Sequence, residues 1–262
     1  EMTSGYHADG AKDGVGWHSW HTGTVAGQVR KATGVERKVF LSRWIKPVRI
    51  LPDAEVANMY KELLGYVNSI ENVYIKQLLT AFFVDDEAFI KRFKNTSAAK
   101  TVHHGFLGGL LEHSLSVTRL CDKISGNYEF LNRDLLISCA MLHDVGKVKE
   151  LSEFPRNDYT DEGNFLGHIV MGYEMVMEKI KNIPDFPPII ANEMGHCILS
   201  HHGELEYGSP KKPAIAEAVA LSMADNIDAK LETLRECFEA KDTNDWLGFN
   251  RWLDSNIRRT SF

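Results

Sequence analysis

Leu135-Leu136-Ile137-Ser138-Cys139-Ala140-Met141-Leu142-His143-Asp144-Val145-Gly146-Lys147 sets an almost wholly apolar run directly against an imidazole and a carboxylate. A run of this length without alternation reads as a short buried helix over 132–145, ending near Gly146. Polar groups buried at the edge of such a helix cost a few kcal/mol each unless something satisfies them. Adjacent helical residues point about 100° apart, so both side chains can reach one partner only at a helix end or where the axis is irregular. Alone, His143-Asp144 also reads as a capping histidine beside a solvated aspartate.

Further along the chain lie His113, His168, the pair His201-His202 and Asp225. Each has an ordinary reading. His113 can be a satisfied interior histidine, His168 a surface residue at a helix start, and one of His201 and His202 a helix C-cap. Asp225, on a helix face that is otherwise apolar, needs a partner. In order, H…HD…H…HH…D is a series of metal-binding residue types. Imidazole and carboxylate without thiolate disfavour a structural zinc site and suit Mn²⁺ foremost, with Fe²⁺, Co²⁺ or Mg²⁺ as alternatives. Six or seven candidate ligands are too many for one ion with open positions, so two ions are expected, Asp144 bridging them. The implied chemistry is phosphoester hydrolysis by a metal-activated water, with Asp144 and Lys147 as catalytic candidates. Lys147 would contact phosphate, and His103, His104, Asn226 and Asp228 are further candidates for substrate binding. Whether His201, His202 or both bind metal is open, and Asp228 reads equally as a supporting or an exposed residue.

The rest of the chain fits an all-α protein. Helical spacing is expected over 53–67, 69–84, 86–95, 101–125, 166–182, 188–202, 213–240 and 244–258. Residues 35–50 alternate in part and read as one or two strands, giving a division into an N-terminal segment, 1–50, and a helical domain, 51–262. The 262 residues carry a net charge of −6, which argues against coating nucleic acid through bulk charge. Cys121, Cys139, Cys197 and Cys237 are widely spaced, so neither a disulfide framework nor a zinc finger is expected. With no transmembrane run and no secretory signal, the expected location is the cytoplasm.

Longer strings carry a resemblance. They are His103-His104, Gly108-Gly109-Leu110-Leu111-Glu112-His113-Ser114, Leu142-His143-Asp144-Val145-Gly146-Lys147, Gly167-His168-Ile169-Val170, Leu199-Ser200-His201-His202-Gly203 and Ala224-Asp225-Asn226-Ile227-Asp228. The chain resembles the HD-domain superfamily of metal-dependent phosphohydrolases, with His113, His143, Asp144 and Asp225 in its H…HD…D pattern and the other histidines as in its dinuclear branch. More narrowly, residues 50–258 resemble the YhaM-type 3′→5′ exoribonucleases. That resemblance implies an HD helical bundle acting on single-stranded RNA, with single-stranded DNA as an alternative, and a homo-oligomer as one possible state. Members of that type carry an N-terminal OB-fold. Here 35–50 resembles only its closing strand, and 1–34 is too short for the remainder of a barrel of roughly 70 residues or more, so a fragment or a diverged member is expected. The competing readings are a nucleotide or cyclic-dinucleotide phosphohydrolase and a non-catalytic, metal-stabilised RNA-binding module.

Overall fold

Asn72, Asp86, Asn132 and Thr160 each sit just before a helix and accept hydrogen bonds from its first free N–H groups, at Tyr74 and Ile75, Phe89, Leu135 and Gly163 respectively. Such caps satisfy donors that no intrahelical carbonyl can reach. In the computed structural model, which describes residues 51–261 apart from 101–104, 155 and 242, the helices are α1 (Asp53–Ser69), α2 (Val73–Phe83), α3 (Glu87–Asn95), α4 (Gly109–Asn127), α5 (Arg133–Leu142), α6 (Lys147–Glu150), α7 (Asp161–Lys181), α8 (Pro188–Ser200) and α9 (Ala216–Ala240). A 3₁₀ turn spans Leu205–Tyr207, and strands β1 (Trp246–Asn250) and β2 (Ser255–Arg258) form a hairpin. The expected strands at 35–50, the segment 1–34, and His103 and His104 lie outside the described residues. Among the described residues, no helix is long and apolar enough to cross a membrane.

The core is built around α5, all of whose residues from Leu135 to Leu142 are buried. It packs against α1, α2, α4, α8 and α9. Full burial of Leu136, Ile137, Met141 and Leu142 contributes roughly 1.5–3 kcal/mol each. Phe82, Phe83, Phe89 and Phe93 close the far end through edge-on ring contacts across α2 and α3. Cys121, Cys139 and Cys197 are buried and reduced, as their apolar settings suggest.

Several elements differ from the sequence expectation. The stretch 244–258, read as a final helix, is the hairpin instead. Gly248 takes a positive φ of 98° at a register shift in β1, Asp254 sits at φ 48°, and the Asn250 side chain accepts from the N–H groups of Trp252 and Leu253. These are turn and bulge features that override a loose helical spacing. Helix α4 starts eight residues later than the expected stretch, after Gly108 in the left-handed region. Helix α7 starts earlier than expected and bends at Gly167 (φ 71°, ψ 158°), so His168 opens its second segment.

Gly146 lies where the turn after α5 meets α7. Its backbone is right-handed (φ −61°), so it is needed for space rather than for conformation. A Cβ there would lie 2.0 Å from the His168 carbonyl oxygen and 2.6 Å from the Gly172 nitrogen. Gly146→Ala should therefore cost roughly 1–3 kcal/mol, as overpacking does, or about 3–10 °C in Tm for a domain of this size. Gly126→Ala, with nothing within 4 Å of its Cβ, should leave Tm level or slightly raised. Thermal unfolding of both variants checks the difference; equal behaviour would rule out the close approach.

Candidate metal centre

Five histidines from four places in the chain turn their rings towards one point. His113 comes from α4, His143 from the end of α5, His168 from the bend in α7, and His201 and His202 from the end of α8. Each ring is fixed through Nδ1. His143 Nδ1 lies 2.8 Å from the Ala140 carbonyl, His201 Nδ1 2.7 Å from that of Ile198, and His202 Nδ1 2.8 Å from that of Tyr207. A carbonyl only accepts, so Nδ1 carries the proton in all three and Nε2 faces inward with its lone pair. His113 Nδ1 lies 2.7 Å from Asp228 Oδ2, and His168 Nδ1 3.0 Å from Glu150 Oε1. Acceptors behind imidazoles in this way set the tautomer and raise basicity at the opposite nitrogen, the usual support for metal-ligating histidines.

The inward atoms fall into two groups that meet at Asp144. His113 and His143 place their Nε2 atoms 3.2 Å apart, each 3.4 Å from Asp144 Oδ2, while Asp225 Oδ1 lies 3.1 Å from His113 Nε2 and 3.8 Å from His143 Nε2. Ligands held by about 2.1 Å bonds around one tetrahedral ion lie roughly 3.4 Å apart. On the other side, His168, His201 and His202 bring ligand atoms within 4.8 Å of one another. Asp144 Oδ1 faces this second group, 3.4 Å from His168 Nε2 and 3.8 Å from His201 Nε2. Both His201 and His202, between which the sequence left a choice, bring a ring nitrogen to this group.

Electrostatics support the same reading. Burial alone would push the His113 imidazole down, but Asp144, Asp225 and Asp228 outweigh it and hold it well above its ordinary value. Burial lowers His201, helped by its neighbours His202 and His143, and holds it well below the usual range, so it stays neutral. Asp144 would be raised by burial; Lys147 and the imidazoles of His143 and His113 reverse this and keep it ionised. Yet Asp144 Oδ1, His168 Nε2 and His201 Nε2, all buried, have no hydrogen-bond partner among the described residues. Three such atoms facing one another, one of them on a carboxylate, would together cost several kcal/mol. A divalent cation satisfies all three, and the donor set fits one.

Other expected site residues take different places. Lys147 directs its ammonium at Asp144 Oδ2, 2.6 Å away, so its nearest charge partner is a candidate ligand rather than an open phosphate position. Asp228, expected as a substrate contact, is buried, with Oδ2 on His113 and Oδ1 accepting from the Ser116 hydroxyl. Asn226 is exposed on the wall of a cleft of about 450 Å³ whose floor includes His113, Asp144, His168 and Asp225. His196 is structural, its Nε2 accepting from the Ala214 N–H at 2.8 Å.

Glu150 was not anticipated. Its carboxylate accepts from both the His168 N–H and Nδ1, a contact made across 18 residues by the bend at Gly167, and no local spacing signals it. Glu150→Gln should weaken divalent-metal binding about 10- to 100-fold, the usual cost of losing such a supporting group. Calorimetric titration of the metal-free protein measures this, and an unchanged affinity would show that His168 is not a ligand.

An HD-domain profile matches residues 110–230, which contain every histidine and aspartate of the cluster. The chain is 39% identical over 184 residues to the 3′-5′ exoribonuclease YhaM of Bacillus subtilis, covering 69% of this chain and 56% of that protein. It is 35% identical over 202 residues to the Shouchella clausii protein of the same name, covering 77% and 60%. The Listeria monocytogenes serotype 4b (strain CLIP80459) protein is 34% identical over 210 residues, covering 79% and 63%. The chain thus spans about three fifths of the length of the curated relatives it matches. No solved structure matches significantly. Residues 110–230 thus match the HD-domain profile, and that stretch of the chain carries the HD-type pattern of histidines and aspartates.

Proposed function

We propose that this protein is a metal-dependent phosphodiesterase that degrades single-stranded RNA from the 3′ end, with single-stranded DNA as a secondary substrate. The observation that carries this reading is the placement of Asp144, whose two oxygens face two separate imidazole groups on the floor of an open cleft. RNA as substrate and the 3′ direction rest on the similarity to relatives named as 3′-5′ exoribonucleases.

In this reading His113, His143, Asp144 and Asp225 would hold one divalent ion, and Asp144, His168, His201 and His202 a second, Mn²⁺ being the best match to a hard-to-borderline set of nitrogen and oxygen donors. When bound, such a pair supplies water of lowered pKa and positive charge against the phosphoryl oxygens. The chain's own residues do the positioning. Asp228 and Glu150 keep His113 and His168 turned inward, and the three backbone carbonyls do so for His143, His201 and His202. Lys147 offsets the charge of Asp144 and keeps a cation at the cleft floor, where a phosphate would enter. Asn226 offers a neutral hydrogen-bonding group on the wall. Residues 51–262 would form the hydrolytic domain and 1–50 a separate N-terminal segment.

The test is a short oligoribonucleotide, labelled at either end, incubated with the full chain and Mn²⁺, beside a panel of nucleotides and cyclic dinucleotides. The 3′ label should be released at once as mononucleotide, while the 5′-labelled strand shortens stepwise. Asp144→Ala should lose at least about 100- to 1000-fold in rate, the scale of removing one strong electrostatic contribution, while keeping its helical circular dichroism. Turnover of the nucleotides alone, or wild-type rates in Asp144→Ala, would overturn the proposal.

A further inference from the structure

We infer that Trp252 is a stacking platform for an unpaired base of the substrate, placed at the cleft wall by the C-terminal hairpin. The inference rests on the hydrolytic reading of the cleft and adds to it the element that recognises a base.

Trp252 lies in the turn joining β1 to β2 and lines the same cleft as His113, Asp144, His168 and Asp225. It is 72% exposed. Its place on the cleft wall, together with Tyr207, presents a large aromatic surface where a planar group of the substrate would pass. Two nearby aromatic rings lie beside cations. The Arg258 guanidinium lies 6.0 Å from the Trp246 ring centre and that of Arg259 lies 5.4 Å from Phe238. Among the described residues Trp252 has no ring or cation partner.

The turn that carries it is also fixed. Asn250 Oδ1 accepts from the Trp252 and Leu253 N–H groups at 2.9 and 3.2 Å, which sets the turn. The same side chain donates through Nδ2 to Cys237 Sγ at 3.3 Å, and Arg259 donates to the Phe238 carbonyl at 2.6 Å. Both anchors are on α9, the helix that carries Asp225. Tyr207, 66% exposed, lines the same cleft from the 3₁₀ turn, and its carbonyl orients His202. With divalent cations on its floor, the cleft would combine positive charge for phosphate with the exposed aromatic faces of Trp252 and Tyr207 on its wall, the pairing of features used to hold single-stranded nucleic acid without sequence preference.

The experiment measures fluorescence anisotropy of the Mn²⁺-loaded full chain with two probes. One is a 5′-labelled hexaadenylate with phosphorothioate linkages, and the other is an abasic ribose-phosphate hexamer of equal length. Trp252→Ala should weaken hexaadenylate binding about 5- to 100-fold, the range of one base–aromatic stack. Trp252→Phe should recover most of this, and Tyr207→Ala should lose less. The abasic probe should bind the wild type more weakly and distinguish poorly between wild type and variants. Unchanged hexaadenylate affinity in Trp252→Ala, or an equal loss for both probes, overturns the inference. Cleavage of unmodified RNA is read separately. A wild type that prefers the base-bearing probe but does not hydrolyse RNA would leave the Trp252 site standing and defeat the hydrolytic reading, and the converse result would do the opposite.

Discussion

Asp144 is 1% exposed, ionised, and has one oxygen with no hydrogen-bond partner among the described residues. A buried carboxylate in that condition is unfavourable by several kcal/mol unless positive charge is brought to it. Lys147 supplies part of that charge to Oδ2 alone. On the Oδ1 side, among the described residues, stand the imidazoles of His168 and His201, and His201 is held neutral by its burial. The arrangement is consistent with a protein that leaves a cation out of its own covalent inventory. The helices carry a polar core that becomes satisfied when divalent metal joins it.

The surrounding fold follows from holding that carboxylate still. The buried run Leu135–Leu142 of α5 delivers His143 and Asp144 to the centre with no freedom to retreat towards solvent, since it packs against five other helices. Gly146 lets the next turn approach α7 closely enough for Glu150 to reach His168. Carbonyls at the ends of α5 and α8, which no intrahelical N–H satisfies, accept instead from His143 and His201. Helix ends here serve as the orienting layer of the centre. The stability of α5 and the geometry of the candidate ligands are one packing problem.

Much of this was legible in the sequence, for reasons that differ by residue. The helical class and the buried character of α5 follow from apolar spacing, a short-range property. His113, His143, Asp144, His168, His201, His202 and Asp225 could be proposed as a set because polar residues repeatedly interrupted apolar helices, each needing a partner. Glu150 could not, because its role exists only across the bend at Gly167. Asp228 was ambiguous for a similar reason: one helical turn from Asp225, it could face either way until α4 was placed against α9. The hairpin at 246–258 was misread because a few apolar residues at loose helical spacing outweighed Gly248 and Asn250, whose turn chemistry decides the segment. Trp252 therefore carried no functional signal until its turn was seen against the cleft.

The central claim is that one carboxylate joins two nitrogen-rich groups into a single two-ion centre. Equilibrium titration of the metal-free chain with Mn²⁺, following free ion by electron paramagnetic resonance, tests it most directly. Wild type should bind two ions per chain, and Asp144→Asn should weaken both together while His113→Ala and His202→Ala each affect chiefly their own site. One ion per wild-type chain, or an Asp144→Asn variant that loses a single site and keeps the other intact, would contradict the bridging role.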